Sequence, residues 1–159
     1  MNIAAIAQSA LWAGLFSCGL GILFTSPPRQ MARTFLCGLA ARLTRDLLMG
    51  AGMSINWATV IAAAVLVLVA VAILREQIAS PVVLFSGVIP LGAAVAMFRM
   101  IMGLVKVSTL QGDALSAASI TLSADMGKVF TTTLAIAVGL GAGMAVVRLL
   151  RRESVWVGD

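Results

Sequence analysis

Arg42, Arg45 and Asp46 stand at i, i+3 and i+4 within "MARTFLCGLAARLTRDLLMG", so on a helix they share one face. Thr34, Gly38, Ala41, Met49 and Gly52 extend that face as a small or polar stripe, while Leu36, Leu39, Leu43 and Leu47 line the opposite one. Two cations and a carboxylate so spaced can hold an anion, carry a proton or neutralise one another. Arg42 and Asp46 are placed for a local ion pair, which leaves Arg45 without a local partner. Arg45 lies about 18 Å of helix beyond Arg33 and about 10 Å before Gly52, inside the hydrocarbon if this helix crosses a bilayer. A charge at that depth costs roughly 2.5–3.5 kcal/mol on insertion scales, so a partner or water must compensate it.

A second stretch, "VIPLGAAVAMFRMIMGLVK" from Val88 to Lys106, carries Pro90, Arg99 and Lys106. Proline lacks the backbone donor and clashes with the preceding turn. A break after Ile89 would start a second half-helix at Pro90, a residue suited to a first helical position. Free N–H groups and the positive end of the helix dipole would then favour anionic groups inside the membrane. The plainer alternative is a proline kink packed by its neighbours. Arg99 and Lys106, two turns apart, share a face, although Lys106 is also placed to snorkel to the interface. Asp125 and Lys128 form an i, i+3 pair. The substrate-pathway candidates are therefore Arg45, Lys106, Pro90, Arg99 and Arg42. Asp46 and Asp125 are the candidates for a coupling proton, against which a salt bridge works by holding the carboxylate ionised.

Other chemistries find little support. Histidine is absent, and Cys18 and Cys37 both lie in apolar context, so neither a metal constellation nor a disulfide framework is expected. No cofactor is expected, and the chain does not read as an enzyme, because no Ser or Cys has an activating partner in view. The formal charge is +5, but the eleven cations are scattered between apolar runs and tyrosine is missing. Nucleic-acid binding needs a clustered basic face, so no nucleic-acid partner is expected and the cations serve better as topology signals.

The elements that must position these residues follow from composition. Of 159 residues, 61% are hydrophobic and 11% charged, with a mean hydropathy of +1.08. A soluble domain is about 25% charged, and no packed core of this size hides so much apolar surface. The chain reads as an all-α integral membrane protein, a single membrane domain over 1–159 surrounded by lipid bilayer. About five transmembrane helices are expected, at roughly 3–24, 33–53, 57–74, 81–105 and 127–149, the fourth broken or kinked at Pro90. The first lacks a positive n-region and runs past twenty residues, so it reads as a span and not as a signal peptide.

Turn chemistry marks the breaks: Ser26-Pro27-Pro28, Gly50 to Asn56, Arg75-Glu76 before Pro81, and Gln111-Gly112-Asp113. The segment 107–126 mixes Ser and Thr with Ala and Leu, and is expected as a short interfacial helix or a re-entrant piece. The second span also fits an amphipathic helix lying in the interface. Gly139 and Gly143, four apart, permit close helix contact. With five spans, Arg29, Arg33, Arg75, Arg148, Arg151 and Arg152 fall on one side, which places the N-terminus outside and the C-terminus in the cytoplasm.

Taken in order, several short motifs carry a resemblance. They are Pro28-Arg29, Arg45, "GMSINWAT" from Gly52 to Thr59, "VIP" from Val88 to Pro90 and "VKVS" from Val105 to Ser108. At these spacings the chain resembles the threonine/serine exporter family over roughly residues 10–150, and within it the short membrane subunit of the split, two-component members. The resemblance implies a five-span subunit in a bacterial inner membrane, working with a larger membrane subunit of the same family that brings the other bundle and a soluble portion. It implies export of a small carboxylate-bearing metabolite: threonine or serine, or for split members a dicarboxylate such as succinate. A carboxylate suits Arg45, Lys106 and a half-helix N-terminus.

Where the family continues after "VIP" with a proline-glycine pair and then a tyrosine, this chain has Ala93-Ala94 and then Phe98. Arg42 and Arg99 stand where the family carries uncharged or weakly basic residues. The expected function is thus the small subunit of a two-component secondary transporter, active as a hetero- or homo-oligomer. The alternative is a structural or assembly subunit that scaffolds a larger partner holding the transport site.

Overall fold

The computed structural model describes residues 3–74 and 81–156, and every described regular element is helical. The Arg75-Glu76 break, with the topology signal of Arg75, lies outside the described residues. Helix α1 (Ile3–Leu23) ends before Ser26-Pro27-Pro28, and Pro28 opens α2 (Pro28–Gly50) at a first-turn position, where its missing N–H costs nothing. Gly52, at φ 89°, turns the chain into α3 (Ile55–Leu74). Then come α4 (Pro81–Val88), a 3₁₀ turn (Ile89–Leu91), α5 (Ala93–Thr109) and α6 (Asp113–Trp156). The fourth expected span is therefore one helix broken in two, and six α-helices account for about five crossings. Ala4–Leu23, Ile55–Ala72 and Ala114–Leu150 are long and apolar enough to cross a membrane, and Val82–Leu91 is a shorter apolar segment.

The chain forms two compact units, one of residues 1–91 with 135–159, the other of residues 92–134. In the first, α2 packs against α1, α3, α4 and the 3₁₀ turn. Of the small or polar stripe seen in the sequence, Thr34, Gly38, Ala41 and Arg45 are buried, with Cys37 beside them, whereas Met49 and Gly52 at its far end are exposed. Contacts pair Ser9 with Asp46, Ser17 with Gly38 and Gly21 with Thr34, the register of an antiparallel hairpin. From Ser9 to Gly21 is about 18 Å of helix, so α2 lies alongside α1 over most of its length. An interfacial helix perpendicular to α1 does not fit that pairing.

Small residues make the close approach possible. A Cβ on Gly38 would collide with the Ser17 side chain, and one on Gly139 with the backbone carbonyl of Val60. Gly143 likewise faces Ala64 and Val67, so the two glycines let α6 lie close on α3. Cys37 and Ala41 meet Ala62, Ala63, Leu66 and Ala70 of α3, with Val83, Leu91 and Ile136 completing the core. Between apolar helices in lipid, such van der Waals contact takes over from hydrophobic burial as the source of association.

The second unit is a helical hairpin of α5 and the start of α6, turned at Gly112 with φ 66°. Gly103 of α5 sits against Leu122 of α6. The expectation of a separate short piece over 107–126 gives way here, because residues from 113 on form the beginning of α6. The hydroxyls that made this segment look mixed are satisfied within the helix. Ser119, Thr121 and Ser123 donate to the carbonyls of Leu115 (2.8 Å), Ala117 (3.0 Å) and Ile120 (2.8 Å), so they do not interrupt it.

Candidate functional site

The first constellation surrounds the helix break. Val88 ends α4, Pro90 lies in the 3₁₀ turn, and Gly92 takes φ 110°, a left-handed conformation that L side chains resist. The break forms without the proline-glycine pair of the family pattern, because Pro90 and Gly92 together supply the missing donor and the left-handed step. The second half-helix starts at Ala93 and not at Pro90, since only past Gly92 does the backbone return to helical geometry. Carbonyls at such a break lack intrahelical partners and carry the negative end of the helix dipole.

Two arginines of α2 meet those carbonyls. Arg42 Nη1 donates to Pro90 O at 3.4 Å, and Arg45 Nη1 donates to Leu91 O. Arg45 is 6% exposed, and its Nε is buried with no hydrogen-bond partner. The i, i+4 pair forms as well, with Arg42 Nε 3.0 Å from Asp46 Oδ2. Ser9 Oγ of α1 donates to the same carboxylate oxygen at 2.5 Å. One polar chain therefore ties α1, α2 and the broken helix together: Ser9 to Asp46 to Arg42 to Pro90. Beside it opens a shallow groove of about 480 Å³, lined among others by Ser9, Trp12, Ala13, Phe16, Arg42 and Pro90.

The second constellation belongs to the other unit. A half-open groove of about 500 Å³ runs between α5 and α6, lined among others by Phe98, Arg99, Met102, Lys106, Leu122 and Asp125. Arg99 and Lys106 are exposed along one face of α5 and make no ion pair with any described residue. Asp125 is 9% exposed and takes Lys128 Nζ at 3.3 Å. Lys128, whose side chain is 65% exposed, does not line the groove. Two unpaired cations facing a nearly buried carboxylate can hold a ligand that carries both signs of charge.

The structure thus distributes the residues singled out by their types. Arg42, Arg45, Asp46 and Pro90 come together in one unit, and Arg99, Lys106 and Asp125 in the other. Three participants gave no signal in the sequence. Ser9 is one hydroxyl in an apolar helix, Leu91 contributes only its backbone, and Leu122 shapes the groove through packing against Gly103. The family described as Threonine/Serine exporter, ThrE matches residues 9–150. No curated protein and no solved structure matches the chain.

Proposed function

Since the chain belongs to the threonine/serine exporter family, we propose that it is the short membrane subunit of a two-component secondary transporter. Its task is to move a small carboxylate-bearing metabolite out of the cell, an amino acid such as threonine or serine or a dicarboxylate. The transport role follows from the family; the two-component assembly and the substrate are the proposal. The observation that carries it is the broken fourth span, whose Pro90 and Leu91 carbonyls are met by Arg42 and Arg45. Non-helical backbone at membrane depth persists only where protein or a water-filled cavity surrounds it, and broken helices are the substrate-handling elements of many secondary transporters.

In this reading Arg42 and Arg45 shape the pathway at the break, with Asp46 the carboxylate able to exchange a coupling proton. Arg99 and Lys106 are the cations that meet the substrate carboxylate, and Asp125 is the second proton-coupling candidate. The larger subunit supplies the rest of the pathway, because five spans are few for a complete transporter. Arg29 and Arg33 at the start of α2, and Arg148, Arg151 and Arg152 near the end of α6, support an inner-membrane topology with the N-terminus outside. The test is a substrate-resolved efflux assay in cells carrying both subunits, this one alone, or the larger one alone. Efflux that requires both supports the proposal; full efflux from the larger subunit alone sinks it.

A second reading, a scaffold for a partner holding the whole site, draws on a specific observation. Arg42 and Arg45 are met within this chain, by Asp46 and by backbone carbonyls, as a purely structural role requires. Under it, replacing Lys106 and Arg99 by glutamine leaves efflux and substrate preference untouched while assembly persists.

A further inference from the structure

We infer that the groove between α5 and the start of α6 selects an amino dicarboxylate, a small molecule with two carboxylates and one ammonium group. The inference rests on the exporter reading and narrows its substrate class. Among the described residues three charged side chains line the groove, Arg99, Lys106 and Asp125, for a balance of one positive charge among them. Threonine and serine are neutral zwitterions, and a simple dicarboxylate carries two negative charges. A ligand with two carboxylates and one ammonium carries one net negative charge, and it alone of the three offers a partner of opposite sign to every ionised group in the groove.

The arrangement of those groups supports the same match. Arg99 and Lys106 lie seven residues apart on α5, about 10 Å along the axis, and their long side chains make no ion pair with any described residue. Each is free to take a separate carboxylate, Arg99 with the two-pronged geometry of a guanidinium. Asp125 faces them from α6 at 9% exposure. Its ionic partner among the described residues, Lys128, holds Oδ1 at 3.3 Å from outside the groove, and no described group bonds Oδ2. A dicarboxylate without an ammonium would leave this nearly buried carboxylate facing another anion, a costly juxtaposition in a low-dielectric wall. A neutral amino acid would leave one cation unmatched. The apolar lining of Phe98, Met102 and Leu122 fits the short methylene chain that joins the charged ends. At about 500 Å³, the groove is within the ordinary size range of small-molecule sites.

The experiment measures binding of L-aspartate, L-threonine and succinate to the full chain in phosphatidylcholine nanodiscs, where no anionic headgroup competes. Efflux of the same three compounds is followed in parallel from cells carrying both subunits. Aspartate is expected to bind about tenfold or more tightly than either competitor, the factor that one charge-assisted contact supplies. Asp125→Asn should move the preference toward succinate and Lys106→Gln toward threonine, whereas Lys106→Arg keeps aspartate first. Thermal unfolding in detergent identifies any variant that has merely lost its fold, and Arg99→Gln then serves in place of Lys106→Gln. Tighter binding of threonine or succinate by the unaltered chain overturns the inference, as does a ranking that Asp125→Asn leaves unchanged. Absence of binding by all three compounds overturns it too. The exporter reading is judged separately, by whether efflux of any of the three depends on this chain.

Discussion

Arg45 of α2 donates a hydrogen bond from Nη1 to the backbone carbonyl of Leu91, the last residue of the 3₁₀ turn and 46 positions further along the chain. The guanidinium thereby caps the carbonyl end of a half-helix that belongs to another element. A positive group at a helix C-terminus is favourable in water, and in a low-dielectric surrounding the same contact is stronger. The expense of a buried arginine and the expense of an interrupted helix are thus set against each other. Arg42 repeats the arrangement one turn earlier on Pro90, with Asp46 balancing its charge.

Replacing Arg45 by glutamine removes the charge while keeping an amide of lesser reach. The Leu91 carbonyl then loses a charge-assisted bond, a destabilisation of about 1.5–3 kcal/mol. Membrane insertion should persist and efflux should be lost. Unfolding in detergent and efflux assays on the same variant check both halves, and unchanged efflux would remove Arg45 from the pathway.

Asp46→Asn takes away the negative charge that Arg42 Nε and Ser9 bind and leaves a neutral amide in its place. Arg42 is then an unbalanced cation beside Arg45, and removal of one member of a partly buried pair costs about 3–5 kcal/mol in the fully buried limit. Asp46→Asn should therefore destabilise the chain more than Ser9→Ala, which deletes one hydrogen bond to a charged group, about 1.5–3 kcal/mol. Equal melting temperatures for the two variants would contradict the network.

Two glycines to alanine give opposite outcomes. At Gly38 the new methyl runs into Ser17 and the Ala13 carbonyl, whereas at Gly141 nothing lies within 4 Å. Gly38→Ala should cost about 1–3 kcal/mol through overpacking, and Gly141→Ala should gain up to about 1 kcal/mol from helix propensity. Paired thermal unfolding curves decide it.

Gly92→Ala tests whether the break is set by backbone conformation. At φ 110° an alanine is strained by about 1–2 kcal/mol, which favours a more regular helix through the turn. Efflux should fall while expression is retained, and helix content by circular dichroism should rise as the turn becomes regular. Retention of full efflux would show that the left-handed step is not required.

A reporter fused after Asp159 should be active only in its cytoplasmic form if the proposed topology, with the N-terminus outside, holds. An externally active reporter would reverse the assignment.

Much of this protein is legible in its residues. Apolar composition, with prolines and glycines at the breaks, determined that the chain is a set of membrane helices and where most of them end. The i, i+4 spacing of Arg42 and Asp46 determined their pairing, because the helix itself places them side by side. The break at Pro90 follows from a missing donor, but its extent to Ala93 depends on the conformation of Gly92. The start of α6 was obscured by its hydroxyls, whose hydrogen bonds stay within the helix and leave no mark of their own on residue type.

Only the tertiary structure decided what Arg45 meets. Its partner is a backbone carbonyl, a group that every residue carries, so no side chain in the sequence can announce it. The groove of Arg99, Lys106 and Asp125 has the same origin. Arg99 and Lys106 share a face by helical spacing alone, but Asp125 joins them through the hairpin turn at Gly112 and the contact of Gly103 with Leu122. Helical periodicity sets which residues lie on one face of a helix; which faces meet is settled by packing between segments distant in the chain.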